Sequence, residues 1–193
     1  MLTIITGKSG AGKSTIVKEL EKYGFHPVLT TTTRPKREKE IQNVDYHFVS
    51  KEEFLEKIDQ NYFAEYKVYK TELGIWYYGS ARENIESAGE KDIIILTPEG
   101  YRDVVKEYPS LEYRLVYIYA NNQTIKNRLM KRGDKKEEAD RRLRQDYEEF
   151  KGVVNLAHRI VYNNENDKLC DVVNKIRKYL EVNFEHAETK TNS

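Results

Sequence analysis

The chain reads Gly7-Lys8-Ser9-Gly10-Ala11-Gly12-Lys13-Ser14 close to its start, which satisfies the pattern G-x-x-x-x-G-K-[ST] at every position. The apolar, β-rich run Leu2 to Thr6 leads into it, and a helix is predicted from Lys13 to Tyr23 because its apolar positions recur at helical spacing. In such a loop, glycines let backbone N–H groups point inward around phosphate oxygens, and the helix N-terminus adds positive potential. The motif therefore predicts a phosphate-binding loop between a buried strand and a helix.

Two side chains of this loop indicate a triphosphate ligand with a metal ion. Lys13 can reach the β- and γ-phosphates, and the Ser14 hydroxyl can coordinate Mg²⁺. The residues expected to contact the triphosphate here are Gly7, Ser9, Gly10, Ala11, Gly12, Lys13, Ser14 and Thr15.

Strands alternate with helices along the rest of the chain, which is typical of an α/β domain with a mainly parallel sheet. Strands are predicted at 27–30, 93–96, 115–119 and 159–162. Helices are predicted at 50–60, at 80–89, after Pro98, at 122–132 and at 167–184, and one long helix is predicted to end at about residue 156. Ser50 and Ser80 each begin a capping-box pattern that predicts a helix start. Residues 31–84 and 132–142 do not fit the alternation, and we expect them to lie outside the sheet, where loops that close over ligands would sit.

Composition limits the function classes. The 193 residues suit one domain, and 33 Lys and Arg against 32 Asp and Glu leave a net charge of +1, so no bulk field recruits nucleic acid or a membrane surface. The single cysteine, Cys170, cannot form an internal disulfide, and no apolar run approaches the ~20 residues that cross a bilayer. We expect a cytoplasmic protein that binds neither nucleic acid nor membrane.

Several further motifs occur in a fixed order. They are Thr32-Thr33-Arg34-Pro35-Lys36-Arg37 with Glu40, Val44-Asp45-Tyr46-His47-Phe48-Val49-Ser50, Tyr77-Tyr78-Gly79-Ser80, Arg128-Leu129 to Arg132-Gly133, Arg141-Arg142-Leu143 and Val161-Tyr162-Asn163-Asn164. Together they resemble the guanylate kinase family from about residue 3 to residue 180. The resemblance implies a parallel-sheet P-loop kinase core with an inserted nucleoside-monophosphate (NMP)-binding lobe and a short lid. It predicts one domain over 1–184, with the core at 1–30 and 85–184, the lobe at about 31–84, the lid at about 132–142, and a polar tail at 185–193.

The resemblance also assigns phosphate-handling residues. Arg34 and Arg37 can present two guanidinium forks to a dianionic monophosphate. Tyr46 and Tyr78 match the phosphate-binding tyrosines of the family. The residues expected to act in catalysis are Lys13, Arg34 and the lid arginines Arg132 and Arg142. Arg141 is expected to be an ordinary exposed helix residue. Asn163 is expected at the ATP site.

The base-reading residues depart from the family pattern. Where the family reads L-D-I-D-x-Q-G, this chain has Ile95 and Thr97 at the aspartate positions and Glu99 at the glutamine. Glu65 matches the guanine-reading glutamate, while the stretch from it to Tyr78 is about four residues longer than the family pattern. The expected acceptor contacts are Thr30, Arg34, Arg37, Tyr46, Glu65, Tyr78, Ser80 and Thr97.

The predicted function is ATP-dependent phosphoryl transfer to a nucleoside monophosphate, with GMP or dGMP as the expected acceptor and Mg²⁺ as the metal. Three alternatives stay open: a kinase for another or broader set of (deoxy)nucleotides, a non-catalytic guanylate-kinase-like module that holds a phosphorylated ligand, and a kinase for a small non-nucleotide acceptor. The expected partners are the two nucleotides, and the sequence leaves the oligomeric state open.

Overall fold

The computed structural model describes residues 1–71 and 74–191, with side chains described as far as residue 182. The strands are β1 (Leu2–Thr6), β2 (His26–Pro27), β3 (Thr31–Thr32), β4 (His47–Phe48), β5 (Phe63–Thr71), β6 (Gly74–Ala81), β7 (Asp92–Ile95), β8 (Tyr113–Tyr119) and β9 (Arg159–Tyr162). The helices are α1 (Lys13–Glu21), α2 (Lys51–Asp59), α3 (Arg82–Glu86), α4 (Pro98–Glu107), α5 (Asn122–Lys131), α6 (Lys136–Glu149) and α7 (Leu169–Thr191), with a 3₁₀ turn at Val153–Asn155. Within the described residues, no helix is long and apolar enough to span a membrane.

A five-stranded parallel sheet in the order β2-β7-β1-β8-β9 forms the core. Strand β1 lies at its centre and is buried along its whole length, as expected for a strand covered by helices on both faces. Ile5 faces one apolar cluster with α1, α5 and α7, whereas Leu2 and Ile4 face another with α3 and α4. This arrangement confirms the predicted parallel α/β core and brings the loops after β1 and β7 to the same sheet edge.

A second sheet, in the order β4-β3-β6-β5, lies within residues 31–84. Its largest part is the antiparallel hairpin of β5 and β6. Phe54 of α2 stacks on Phe63 of β5 with ring centroids 4.4 Å apart, and this contact fixes the helix against the hairpin. The lobe and lid boundaries drawn from the sequence stay predictions.

The predicted capping box at Ser80 is wrong. The Ser50 hydroxyl does accept from the Glu53 N–H and begins α2, but Ser80 lies inside β6. Its backbone pairs with Glu65 across the hairpin and its hydroxyl donates to the Glu65 carboxylate, so the chain stays extended until Ala81.

Other boundaries also differ from the sequence prediction. The strand predicted at 27–30 is mostly wrong: only Pro27 lies in a strand, β2, and residues 28–30 connect β2 to β3 of the second sheet. The helix predicted to reach residue 156 ends at Glu149, because the chain turns through Gly152 at φ +78°. Helix α7 continues past its predicted end at Phe184 to Thr191, and no Gly or Pro interrupts that stretch.

Candidate active site

A cavity of about 230 Å³ lies between the phosphate loop (residues 7–14), the β5–β6 hairpin and α6. A cleft of about 740 Å³ adjoins it between α1, residues 37–46 and the lid. Both spaces share Thr30, Arg37, Tyr46 and Ile95 in their walls. A donor at the phosphate loop and an acceptor at the hairpin would therefore meet in one continuous space.

The phosphate loop has the backbone conformation that its glycines predict. Gly10 and Gly12 have φ of +78° and +95°, in the left-handed region that side chains rarely adopt. Gly12 precedes the first residue of α1, and a Cβ on it would lie 2.5 Å from the Asn163 Nδ2. Any larger residue there would push the loop away from its support.

Asn163, predicted at the ATP site, supports the loop from the protein side. It is buried, and its amide donates to the Ala11 carbonyl at 2.8 Å. Arg128 donates to the carbonyls of Gly10 and Ala11 at 3.4 and 3.3 Å, and to the Asn163 Oδ1 at 3.4 Å. The sequence motif contains Arg128, but this supporting role depends on how α5 packs against the loop.

Lys13 lies at the centre of the loop and faces two carboxylates of α6. Its ammonium donates to the carbonyls of Gly7 and Lys8, and burial lowers its pKa while Asp146 and Glu149 oppose that shift. Asp146 accepts from the Ser9 N–H at 2.7 Å, so a carboxylate occupies one of the loop's inward amides. Burial and the neighbouring Asp146 raise the pKa of Glu149 to about 7.

Sequence reasoning missed these two carboxylates, although helical spacing was a usable signal. Asp146 follows Arg142 by four residues and precedes Glu149 by three, which puts all three side chains on one face of α6. Since Arg142 was already predicted to face the site, both acids could have been placed there.

Glu40 organises the acceptor clamp (Arg34, Arg37, Tyr46 and Tyr78). Arg34 is only 4% exposed and donates to the Glu40 carboxylate at 2.7 Å and to the Tyr78 hydroxyl at 3.1 Å. The Arg37 backbone N–H donates to the other Glu40 oxygen at 2.8 Å, and its side chain lines both spaces. Burial raises the pKa of Tyr46, whose ring lies 5.5 Å from the Arg34 guanidinium.

The lid arginines approach this clamp from the opposite side. Arg37 and Arg132 line the same cleft. Burial lowers the pKa of Arg37, and the positive charge of Arg132 lowers it further. Arg142 and Arg141 both donate to Glu138 at 2.7 Å, and these bonds hold the Glu138 pKa down to about 2. Arg141, expected to be an ordinary exposed residue, also lines the cavity beside Arg142.

Comparisons with known proteins agree with this arrangement. A family model described as guanylate kinase matches residues 1–182. Guanylate kinases from Helicobacter pylori (strain ATCC 700392 / 26695) and Clostridium tetani are 35% and 36% identical over 186 and 187 residues, alignments that cover 93% of this chain and 87% and 85% of theirs. The chain belongs to the guanylate kinase family. A crystal structure of guanylate kinase from Anaplasma phagocytophilum shares the fold, with a TM-score of 0.68 and 17% identity over 95% of this chain and 85% of that one.

Within this guanylate kinase fold, the end of the cavity beside the β5–β6 hairpin is built around Glu65, the residue predicted to read the base. Its side chain accepts from the Ser80 hydroxyl at 2.6 Å, and burial raises its pKa to about 7 although Ser80 and Lys67 oppose that shift. Thr97 lines the cavity and also caps α4, since its hydroxyl oxygen accepts from the Gly100 N–H at 3.0 Å. Glu99 points elsewhere, to Lys67 at 3.0 Å, so it does not take the place of the missing aspartates.

The residues at the start of α1 are compatible with a magnesium ion. Ser14 and Thr15 are exposed and line the adjoining cleft, as does Ile95 at the end of β7. Among residues 1–71 and 74–182, no three or more His, Cys, Asp or Glu side chains group to hold a metal. Mg²⁺ commonly takes few protein ligands and completes its shell with phosphate oxygens and water, so a single Ser14 hydroxyl fits that chemistry.

Proposed function

We propose that this protein transfers the γ-phosphoryl group of ATP to GMP or dGMP. The observation that carries the proposal is the convergence of Lys13, Arg37, Arg132 and Arg142 around one continuous space that ends at the Glu65 carboxylate. Family membership supports an ATP-dependent kinase over a non-catalytic binding module, because the family model matches residues 1–182 and the phosphate loop is complete.

In the proposed reaction, an oxygen of the acceptor monophosphate attacks the γ-phosphorus. A new O–P bond forms as the bond between the γ-phosphorus and the β–γ bridging oxygen breaks, and ADP leaves with that electron pair. The attacking oxygen is already ionised, so the reaction needs no general base, and catalysis comes from positioning and charge stabilisation. Bound at Ser14, Mg²⁺ would neutralise charge on the β- and γ-phosphates.

Each cationic side chain has a place in this scheme. Lys13 lies at the loop end, where the β- and γ-phosphates would bind. Arg37, together with Tyr46 and Tyr78, faces the acceptor phosphate, while buried Arg34 holds Tyr78 and Glu40 in position. Of the lid arginines, Arg142 lines the cavity and Arg132 the adjoining cleft, and both would stabilise the phosphoryl group in transfer.

We also propose that the lobe at 31–84 and the lid at 132–142 close over the two nucleotides and exclude water. Lid residues Arg132 and Asp134 and lobe residues Arg37 and Glu40 already line one cleft, which supports closure at this point. Cytoplasmic localisation stays a prediction from the single cysteine, and the oligomeric state stays open.

The experiment is a panel of kcat/KM values for GMP, dGMP, AMP, CMP, UMP and dTMP with ATP as donor. We expect GMP or dGMP to be preferred, with weaker discrimination than two base-reading carboxylates would provide. Thr97→Asp keeps a good helix cap and restores the second carboxylate, so it should raise the preference for GMP over AMP at least tenfold. Equal rates with all six acceptors would instead support a kinase of broad specificity, and no turnover with any of them would overturn the proposed function.

A further inference from the structure

The cavity-facing side of β5 carries a lysine next to the base-reading glutamate. Glu65, Lys67 and Tyr69 alternate along the strand and line the cavity, whereas Tyr66 and Lys70 are exposed on the other face. Lys67 is only 15% exposed, so its ammonium stands in the cavity wall and not in bulk solvent.

Two carboxylates of α4 hold this ammonium in place. Its Nζ lies 2.6 Å from the Asp103 Oδ2 and 3.0 Å from the Glu99 Oε1. The side chains of Glu99 and Asp103 are 65% and 44% exposed, so they approach Lys67 from the solvent side of the wall. An ammonium has three N–H donors, and the two ion pairs leave one for a ligand in the cavity.

Glu65 and Lys67 therefore present an acceptor and a donor side by side. Two residues along a strand span about 7 Å, which is comparable to the width of a purine edge. On guanine, the acceptor O6 adjoins the donors N1–H and N2–H, and no other base offers that combination on one edge. Neither position that carries an aspartate in the family pattern has one here, since Ile95 at the end of β7 and Thr97 at the start of α4 occupy them.

We propose that Lys67 determines base specificity by donating a hydrogen bond to O6 of guanine, while Glu65 accepts from N1–H and N2–H. This inference rests on the proposed function. Adenine carries an amino group in place of O6, so its N–H donors would face the ammonium and leave both groups unsatisfied. Rejection of AMP would then come from the cation on β5 and not from a second carboxylate at position 95 or 97.

A purely structural role for Lys67 makes a different prediction. The Lys67–Asp103 ion pair connects the hairpin to α4, so its loss could loosen the cavity as a whole. A loosened cavity would lower kcat/KM for every acceptor by a similar factor, whereas a lost contact to O6 would lower it only for acceptors that carry O6.

The test compares GMP with two analogues in wild type and Lys67→Met. In 6-thio-GMP a sulfur replaces O6 and accepts hydrogen bonds poorly, while IMP keeps O6 and N1–H and lacks the 2-amino group. Wild type should prefer GMP over 6-thio-GMP at least tenfold in kcat/KM. Lys67→Met should reduce this preference to about threefold or less and leave the preference for GMP over IMP unchanged. Lys70→Met, on the exposed face of the same strand, is the matched control and should behave as wild type.

Several outcomes would overturn the inference. Equal kcat/KM for GMP and 6-thio-GMP in wild type would do so without any variant, even if Lys67→Met failed to fold. A uniform loss in Lys67→Met for GMP, 6-thio-GMP and IMP would show that Lys67 only joins β5 to α4. If wild type phosphorylates GMP well but its kcat/KM preference for GMP over 6-thio-GMP does not depend on Lys67, only this inference is wrong. If GMP is not phosphorylated at all, the proposed function itself is wrong.

Discussion

The ionisation of Glu65 should control GMP binding near neutral pH. Burial raises the pKa of this carboxyl from 4.5 to about 7, and only the ionised form can accept from both N1–H and N2–H of guanine. With a pKa of about 7, roughly 90% of the protein is competent at pH 8 and roughly 10% at pH 6. Because apparent affinity scales with the competent fraction, the KM for GMP should rise about ninefold between those two pH values.

The assay measures KM for GMP from pH 6 to pH 8 at saturating ATP. The acceptor phosphate itself titrates near pH 6, so Glu65→Gln serves as the control that keeps this background and removes the Glu65 component. Glu149→Gln removes the other carboxyl whose pKa is about 7, and it should leave the GMP profile as in wild type. If Glu65→Gln had the same KM at pH 8 and the same pH profile as wild type, Glu65 would not be the base-reading group.

The same raised pKa predicts an effect on stability with a definite sign. The folded state holds the Glu65 proton more tightly than the unfolded chain does, so this stabilisation is present below about pH 4.5 and is lost as pH rises to 7. A shift of this size corresponds to roughly 3 kcal/mol of unfolding free energy above pH 7. Urea titrations should therefore show Glu65→Gln gaining stability relative to wild type by up to that amount at pH 8, and by less at pH 5. If the free energy of unfolding differed between Glu65→Gln and wild type by the same amount at both pH values, the raised pKa of Glu65 would be contradicted.

The phosphate-handling residues support three further predictions. Lys13→Met should lower kcat by 10²-fold or more with an unchanged melting curve, and an undiminished kcat would remove the loop's assigned role. Asp146→Asn keeps an oxygen that can accept from the Ser9 N–H but removes a negative charge beside the expected triphosphate site. Calorimetry should therefore show that the variant binds ATP several-fold more tightly than wild type. Weaker binding would mean that the Asp146 carboxylate assists the metal. Arg37→Ala should raise the KM for GMP roughly 10- to 150-fold, equivalent to about 1.5–3 kcal/mol, and leave ATP affinity nearly unchanged. Arg34→Ala should also lower stability, because it removes the buried guanidinium that donates to Glu40 at 2.7 Å. Equal losses of GMP and ATP affinity in Arg37→Ala would contradict separate donor and acceptor sites.

Features that depend on neighbouring residues along the chain could be predicted from the sequence alone. The phosphate loop is one, because its conformation is set by glycines at specific positions between a buried strand and a helix. The parallel core is another, since continuous apolar runs such as Ile93 to Leu96 require cover on both faces. The resemblance assigned Arg34 and Arg37 to the acceptor phosphate, which stays a prediction; Glu40, which accepts from both, lies only a few residues along the chain.

Features that depend on distant segments were decided by tertiary structure. Asp146 reaches the Ser9 N–H across 137 residues of sequence, and Lys67 meets Asp103 only because the hairpin packs beside α4. Ser80 shows that a local sequence pattern can also predict the wrong structure when a distant segment pairs with it. Its sequence pattern favours a helix cap, but pairing with Glu65 across the hairpin keeps it in a strand and turns its hydroxyl toward the base pocket. The conformation of the phosphate loop therefore follows from local sequence, because its geometry is local. The contact of Glu65 with Ser80 and the burial of Glu65 were decided by which distant strands and helices pack together.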